Sequence, residues 1–201
     1  SAEYAIKSKI VDKVVISTDS KKYIKIAKKY SFDAPFIRPK KYSGDYVEDY
    51  DVIYHALRKT EKYYNLKFDY IILLRPTSPF REKNLIERGI KLINDNFESD
   101  SVRSVITVNE HPYRMWVRKK KYISGLIDSV FEPYNKPRQK LPKIYFQSGD
   151  IEIIKRSTLL KGTISGKKVL PLLIKNKSID IDSIKDLKDI KKNAWYYFWN
   201  G

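Results

Sequence analysis

Apolar positions fall into short runs that alternate with helical stripes along the first half of the chain. Residues 13–18, Lys-Val-Val-Ile-Ser-Thr, form a β-branched run long enough for a buried strand. Tyr23, Ile26, Ala27 and Tyr30 then recur at i, i+3, i+4 and i+7, the spacing of one helix face. Residues 51–64 repeat that period through Val52, Ile53, Ala56 and Leu57. Residues 70–74 are continuously apolar, and the proline-bounded turn at 75–81 stops them. Leu85, Ile86, Ile90 and Ile93 make the next helix face, and residues 102–108 the next strand. This β-α-β-α alternation predicts an α/β fold on a mainly parallel, buried sheet.

The pattern changes at residue 109. Through residue 143 the helical period stops, and proline, basic and aromatic residues accumulate, which predicts an excursion from the sheet built as a hairpin with loops. Strand patterns return at 145–155 and 168–174, followed by a short helix from Ser183. The chain closes on Trp195, Tyr196, Tyr197, Phe198 and Trp199, an aromatic tail expected to pack on the domain or on a partner subunit. Neither an internal repeat nor a low-complexity linker is visible, so residues 1–201 read as one domain with an insert at 109–143.

Composition narrows the chemistry. At 42% hydrophobic and 32% charged the chain is too apolar for disorder. It has no cysteine and two histidines, His55 and His111. That excludes a disulfide scaffold, a zinc-thiolate site, an iron–sulfur cluster, a cysteine nucleophile and a His-rich metal centre. No stretch approaches the roughly 18 apolar residues of a membrane span. The first residues show neither an apolar run nor a cleavage site, so a cytoplasmic protein is expected. Lys plus Arg number 41 against 24 Asp plus Glu, a net charge of +17 that favours anionic partners. The lysines are spread along the chain rather than gathered in a block, which argues for solvated surface charge over a dedicated nucleic-acid face.

Ligand sites of open α/β sheets lie at the carboxyl ends of strands, and polar clusters fall there. They are Ser17-Thr18-Asp19-Ser20, Arg75-Pro76-Thr77-Ser78-Pro79-Phe80-Arg81 and Asp180-Ile181-Asp182. Carboxylates two apart on an extended segment point the same way, so Asp180 and Asp182 could share a hard divalent cation; the bland alternative is that one of them caps the following helix. The turn from Gly162 to Lys168 has the wrong glycine spacing for a phosphate-binding loop. A hydrogen-bonded structural role is expected for His55, on the helix of residues 51–64.

Taken in order, these clusters resemble the acylneuraminate cytidylyltransferases, the CMP-sialic acid synthetase family. The likeness is carried by Val14-Val15-Ile16-Ser17-Thr18-Asp19-Ser20, Pro35-Phe36-Ile37-Arg38-Pro39, Ser43-Gly44-Asp45 and His55-Ala56-Leu57. It continues through the 75–81 turn, Pro137-Arg138-Gln139-Lys140-Leu141-Pro142, Ser148-Gly149-Asp150 and Asp180-Ile181-Asp182. The resemblance implies a three-layer, Rossmann-like nucleotidyltransferase fold, of the nucleotide-diphospho-sugar transferase kind. It implies that CTP and an acidic nine-carbon sugar react to give a CMP-sugar and pyrophosphate, with Mg2+ as cofactor and a homodimer formed through the insert. Arg38 and Ser43 would lie by the cytidine. Thr77, Ser78, Arg138, Gln139 and Tyr145 would line the sugar pocket, and Asp180 and Asp182 would hold the magnesium.

Three departures from the family pattern stand out. The family opens with a strand and a Gly- and Lys-rich triphosphate loop, whereas this chain opens inside the first helix, at Tyr4-Ala5-Ile6; impaired catalysis is expected of the chain as it stands. Arg75 occupies the place of a usual Gln, and is expected to take part of the sugar contact. Phe146-Gln147-Ser148-Gly149-Asp150 replaces an Arg-Pro-Asn-Gly-Ala type segment, with Asp150 expected near the sugar. A non-catalytic nucleotide- or RNA-binding relative of the fold is the alternative reading, since tyrosines among cations suit single strands.

Overall fold

A computed structural model describes residues 1–30, 32–108, 110–175, 181 and 183–192. Asp180, Asp182 and the aromatic residues 195–199 lie outside the described residues. Helices α1 (Ala2–Ile6), α2 (Lys21–Lys29) and α3 (Asp49–Tyr64) come first, then strand β1 (Tyr70–Leu73), helix α4 (Leu85–Asp95) and strand β2 (Ser101–Thr107). A hairpin of β3 (Trp116–Lys119) and β4 (Tyr122–Gly125) follows. The chain then forms β5 (Tyr145–Lys155), α5 (Arg156–Leu160), β6 (Val169–Leu173) and α6 (Ile184–Lys192).

The main sheet has the order β1-β5-β2-β6, and the hairpin is a separate two-stranded sheet. β5 runs antiparallel to both of its neighbours, while β2 and β6 are parallel. Three of the four strands, β1, β2 and β6, therefore point the same way. The α/β expectation holds, but the sheet is mixed: β5 is threaded backwards between two parallel strands. The reversal follows from the insert, whose excursion returns the chain at the edge it left, so the next strand must run back. β6 lies at an edge, where Pro171, with no N–H to donate, is tolerated.

Alternation along the strands supplies two cores. Ile151 and Ile153 of β5 join Val102, Leu172 and the α4 residues Leu85, Ile86 and Ile93 on one face. Ile154 joins Ile53 and Leu57 of α3 and Leu159 of α5 on the other. Helices thus cover both faces of the sheet, giving three layers. Gly89 lets α4 approach closely, because a Cβ there would stand 2.4 Å from Ile153 Cδ1.

Two expectations differ from the structure. Residues 13–18 do not form a strand of the sheet: Val15 makes one isolated bridge to Asp33, and Ile16 N donates to Asp33 O at 2.9 Å. The β-branched run is extended, but its described partner is a single residue rather than a ladder. The stripe on α2 is real as a helix, capped by Ser20 Oγ accepting from Tyr23 N, yet of its four residues only Ala27 is buried. Tyr23 remains 57% exposed. Helical period reports which residues share a face, not whether that face is covered.

Candidate nucleotide and sugar site

Because β1, β2 and β6 are co-directional, their carboxyl ends meet at one edge of the sheet. That edge receives the 75–81 turn after β1, the insert after β2, and Ile181 after β6. Antiparallel β5 begins there too, at Tyr145. The Ile181 amide donates to Thr77 O at 2.8 Å, which fixes the residue between the two aspartates against the 75–81 turn.

The turn is held from within. Arg81 Nε donates to Asp150 O at 2.6 Å, and Arg81 Nη2 to Arg75 O at 2.7 Å. One guanidinium thereby ties the two ends of the turn to β5. Thr77 is half-buried and Ser78 wholly buried, so the turn packs Ser78 inward.

Arg75 faces the α3 side of the sheet. Its Nη2 donates to Asp49 Oδ2 at 2.5 Å and to Glu152 Oε1 at 2.9 Å. Glu152, with its side chain 2% exposed, also meets Arg103 Nη1 at 2.6 Å and accepts from Gln147 Nε2 at 3.3 Å. A buried carboxylate needs such partners, because removing one charge from water uncompensated costs several kcal/mol on the order of magnitude. Hydrogen bonding to both acids raises the Arg75 pKa against the opposing effect of burial, the larger single influence. The sequence reading missed Glu152, Arg103 and Asp49. Their signal was one carboxylate inside the apolar run Ile151-Glu152-Ile153-Ile154, which demands a cation across the sheet.

Arg38 and Ser43 are brought together in the turn around residues 40–42 that precedes α3. Arg38 Nε donates to Ser43 Oγ at 3.3 Å, and Ser43 Oγ donates to Pro39 O at 3.1 Å. Arg38 N donates to Thr18 O at 2.9 Å, joining this turn to the Ser17-Thr18-Asp19-Ser20 cluster. Asp49, six residues beyond Ser43, is the first residue of α3 and meets Arg75. His55, one and a half turns along α3, packs edge-on to Phe36 at 5.2 Å and tilted against Tyr42 at 5.1 Å. Neither ring nitrogen has a hydrogen-bond partner among the described residues, so the expected hydrogen-bonded role is corrected to an aromatic one.

The Ser148-Gly149-Asp150 motif forms a wide bulge in β5. Arg103 faces Glu152 and Val105 faces Gln147, so the extra residues of β5 loop past Ser104. Gly149 takes φ 75°, the left-handed conformation glycine adopts without strain. Ser104 Oγ accepts from Ile151 N at 3.0 Å and from Ser148 Oγ at 2.9 Å. Asp150 is 1% exposed, buried at the bulge rather than standing on an open wall. Arg138 and Gln139 are exposed on a 3-10 turn of the insert, and Tyr145 is exposed at the head of β5, two residues before Gln147 and so on its face of the strand. Among the described residues no hydrogen bond or ion pair joins Arg138 or Gln139 to the 75–81 turn.

The glycine turn near residue 166 holds a carboxylate of the chain itself. Asp100 Oδ2 accepts from Lys167 N and Lys168 N at 2.8 and 2.9 Å, and these bonds lower its pKa.

Comparison with known proteins gives the fold and the family. A solved CMP:2-keto-3-deoxy-manno-octonic acid synthetase, complexed with CTP, superposes with a TM-score of 0.67 at 13% identity, over 97% of this chain and 86% of its own; that likeness is one of fold. The pseudaminic acid cytidylyltransferase of Campylobacter jejuni is 28% identical over 199 residues, 95% of this chain and 82% of that protein. The N-acylneuraminate cytidylyltransferase of Escherichia coli is 28% identical over 188 residues, 92% of this chain and 43% of that longer protein. The model of the cytidylyltransferase family matches residues 1–120, more than half of the chain, and with the shared edge of turns it establishes that this protein belongs to the cytidylyltransferase family.

Proposed function

We propose that the protein transfers the cytidylyl group of CTP to an acidic nine-carbon sugar, a sialic, pseudaminic or related nonulosonic acid. The observation that carries this reading is the arrival of the 75–81 turn, the insert and Ile181 at one sheet edge, where Arg75 reaches Asp49 at the start of α3. The relatives support the substrate class, since two that match most of this chain carry acidic nine-carbon sugars in their names.

In this reading Arg38 and Ser43 hold the cytidine, as a cation and a hydroxyl already in contact. Thr77, Arg138, Gln139 and Tyr145 serve the sugar, with the buried Ser78 shaping the turn beneath them and the exposed Arg138 fork suited to bidentate capture of the sugar carboxylate. Arg75 lends positive potential from behind, partly neutralised by Asp49 and Glu152. Cytidylyltransferases of this kind generally use a divalent metal ion. Asp180 and Asp182 flank the anchored Ile181 and offer the hard oxygen donors that magnesium prefers, so they would hold it. The ion would neutralise charge on the α-phosphate and on the departing pyrophosphate. The sugar's anomeric oxygen attacks the α-phosphorus in line and loses its proton to solvent. The bond from that phosphorus to the oxygen bridging the β-phosphate breaks, and pyrophosphate leaves with the electron pair.

Residues 1–201 form one cytidylyltransferase-like unit in this proposal, and the 109–143 insert serves substrate contact and pairing of two copies. No helix among the described residues is long and apolar enough to cross a membrane. A cytoplasmic location, beside the CTP pool, accompanies this proposal. Pyrophosphate release from CTP and magnesium, measured against a panel of nonulosonic acids, tests the reaction. Release with one acid, and none when ATP or GTP replaces CTP, is the expected result. Release with none of the acids, together with salt-sensitive binding of a short single-stranded RNA, would replace this function with nucleic-acid binding.

A further inference from the structure

We propose that His55 is a positioning residue: its uncharged imidazole, wedged between Phe36 and Tyr42, holds the turn of Arg38 and Ser43 in the shape that receives the base of CTP. The proposal rests on the reading of Arg38 and Ser43 as the nucleotide contacts. Phe36 lies two residues before Arg38 and Tyr42 immediately before Ser43, and the His55 ring packs against both, with ring centres at 5.2 and 5.1 Å. The imidazole is therefore a pin through both ends of the seven-residue segment 36–42, which carries Arg38 and leads directly into Ser43. Outside the helix, that segment is secured by few bonds: Arg38 N to Thr18 O, Tyr42 N to Pro39 O and the Ser43 contacts.

The surroundings of the ring favour its neutral form. Both nitrogens are buried without a hydrogen-bond partner among the described residues. The charged groups that face it are all cations: Lys59 from α3, and Lys41 and Arg38 from the turn. The Tyr42 phenol is the remaining titratable group against it. Burial first, then Lys59, Lys41 and Arg38, lower the His55 pKa below its ordinary 6.5. Phenylalanine would fill the same slot without the ability to charge, whereas a protonated His55 would set a fourth cation beside Arg38. Acidification thus expels the ring from its aromatic slot, and the turn loses its pin. By linkage, CTP that needs the pinned turn binds the unprotonated form better and drives the His55 pKa lower, an effect that has to exceed the opposite pull of the CTP phosphates on an imidazolium.

The test uses the full chain and CTP. With only two histidines, the ring C–H resonances of His55 can be followed in solution and separated from those of His111 by His111→Gln. On saturation with CTP, the His55 titration should move to lower pH by about half a unit or more, equivalent to about threefold or more in affinity. His55→Phe should keep its affinity near neutral pH and, on descent to about pH 5, lose about threefold less CTP affinity than the wild type. The protonations of CTP itself cancel in that comparison. His55→Ala, which empties the slot, should weaken CTP at every pH. A His55 titration unmoved by CTP, or parallel pH profiles for wild type and His55→Phe, would overturn the inference. Arg38→Ala separates the two levels: lost CTP binding in that variant upholds the nucleotide turn whatever His55 does, and unchanged binding removes both.

Discussion

Arg75 is where residue chemistry and site geometry meet. Its position at the end of β1 suggests a sugar contact, yet its Nη2 is shared between Asp49 and Glu152. A direct ligand and a bridge fail differently when removed. Loss of a ligand raises the KM of one substrate; loss of a bridge loosens both substrate sites and the fold. Arg75→Gln is accordingly expected to lower stability by about 1–2 kcal/mol, between the value of a charged hydrogen bond and that of an exposed pair. It should also reduce kcat/KM for CTP and for the sugar alike. Denaturant melts and two-substrate kinetics decide it: unchanged stability with only the sugar KM raised would make Arg75 a plain sugar ligand. Glu152 is not abandoned in this variant, because Arg103 still meets it at 2.6 Å.

Among the elements, most of what the period of apolar residues predicts is present. The stripe at 51–64 is α3, the run at 70–74 is β1, and the faces at 85–93 and 102–108 are α4 and β2. What periodicity does not contain is direction and partnership. The antiparallel course of β5 depends on where a long excursion returns, and the failure of residues 13–18 to join the sheet depends on what stands beside them. The site divides along the same line. Arg38 meets Ser43 five residues on within one turn and the Ile181 amide meets Thr77 O, both inside motifs visible in the sequence, whereas the Asp49–Arg75–Glu152–Arg103 chain joins residues 26, 77 and 49 positions apart with no motif to mark it. The close packing of α4 on β5 makes a sharper claim about elements. Gly89→Ala alone presses a methyl against Ile153 Cδ1, and Ile153→Val alone leaves a void costing about 1 kcal/mol. Together the new methyl takes the vacated space and α4 gains the better helix former, worth about 1 kcal/mol. A double-mutant cycle by chemical denaturation should give favourable coupling on the order of 1 kcal/mol; additive effects within about 0.5 kcal/mol would mean the two residues do not meet.

For the whole molecule, the β3–β4 hairpin raises a question of balance. A lone two-stranded ribbon is marginal in water, and this one is paired to no other strand among the described residues. Trp116 leans on Tyr134 with ring centres 4.4 Å apart, but every residue of β3 is exposed. Tyr122 and Ile123 are 68% and 62% exposed, and Phe131 in the following loop is 87% exposed. Clustered apolar surface of this kind is a mark of an interface, and a second copy of the insert is the partner proposed for it. Net charge acts against that pairing, since each chain carries +17. The contact is apolar while the opposing force is long-range repulsion, which salt screens within about 10 Å at 0.1 M. The dimer should therefore tighten as salt rises, the reverse of an association made by surface ion pairs. Sedimentation equilibrium of the wild type should give twice the chain mass, with a dissociation constant that falls between low and moderate salt. Val117→Lys with Tyr122→Lys places charge on one face of the hairpin and should yield a monomer whose melting no longer depends on protein concentration. A wild type that sediments as a monomer at micromolar concentration, or a dimer that salt dissociates, would refute pairing through this hairpin.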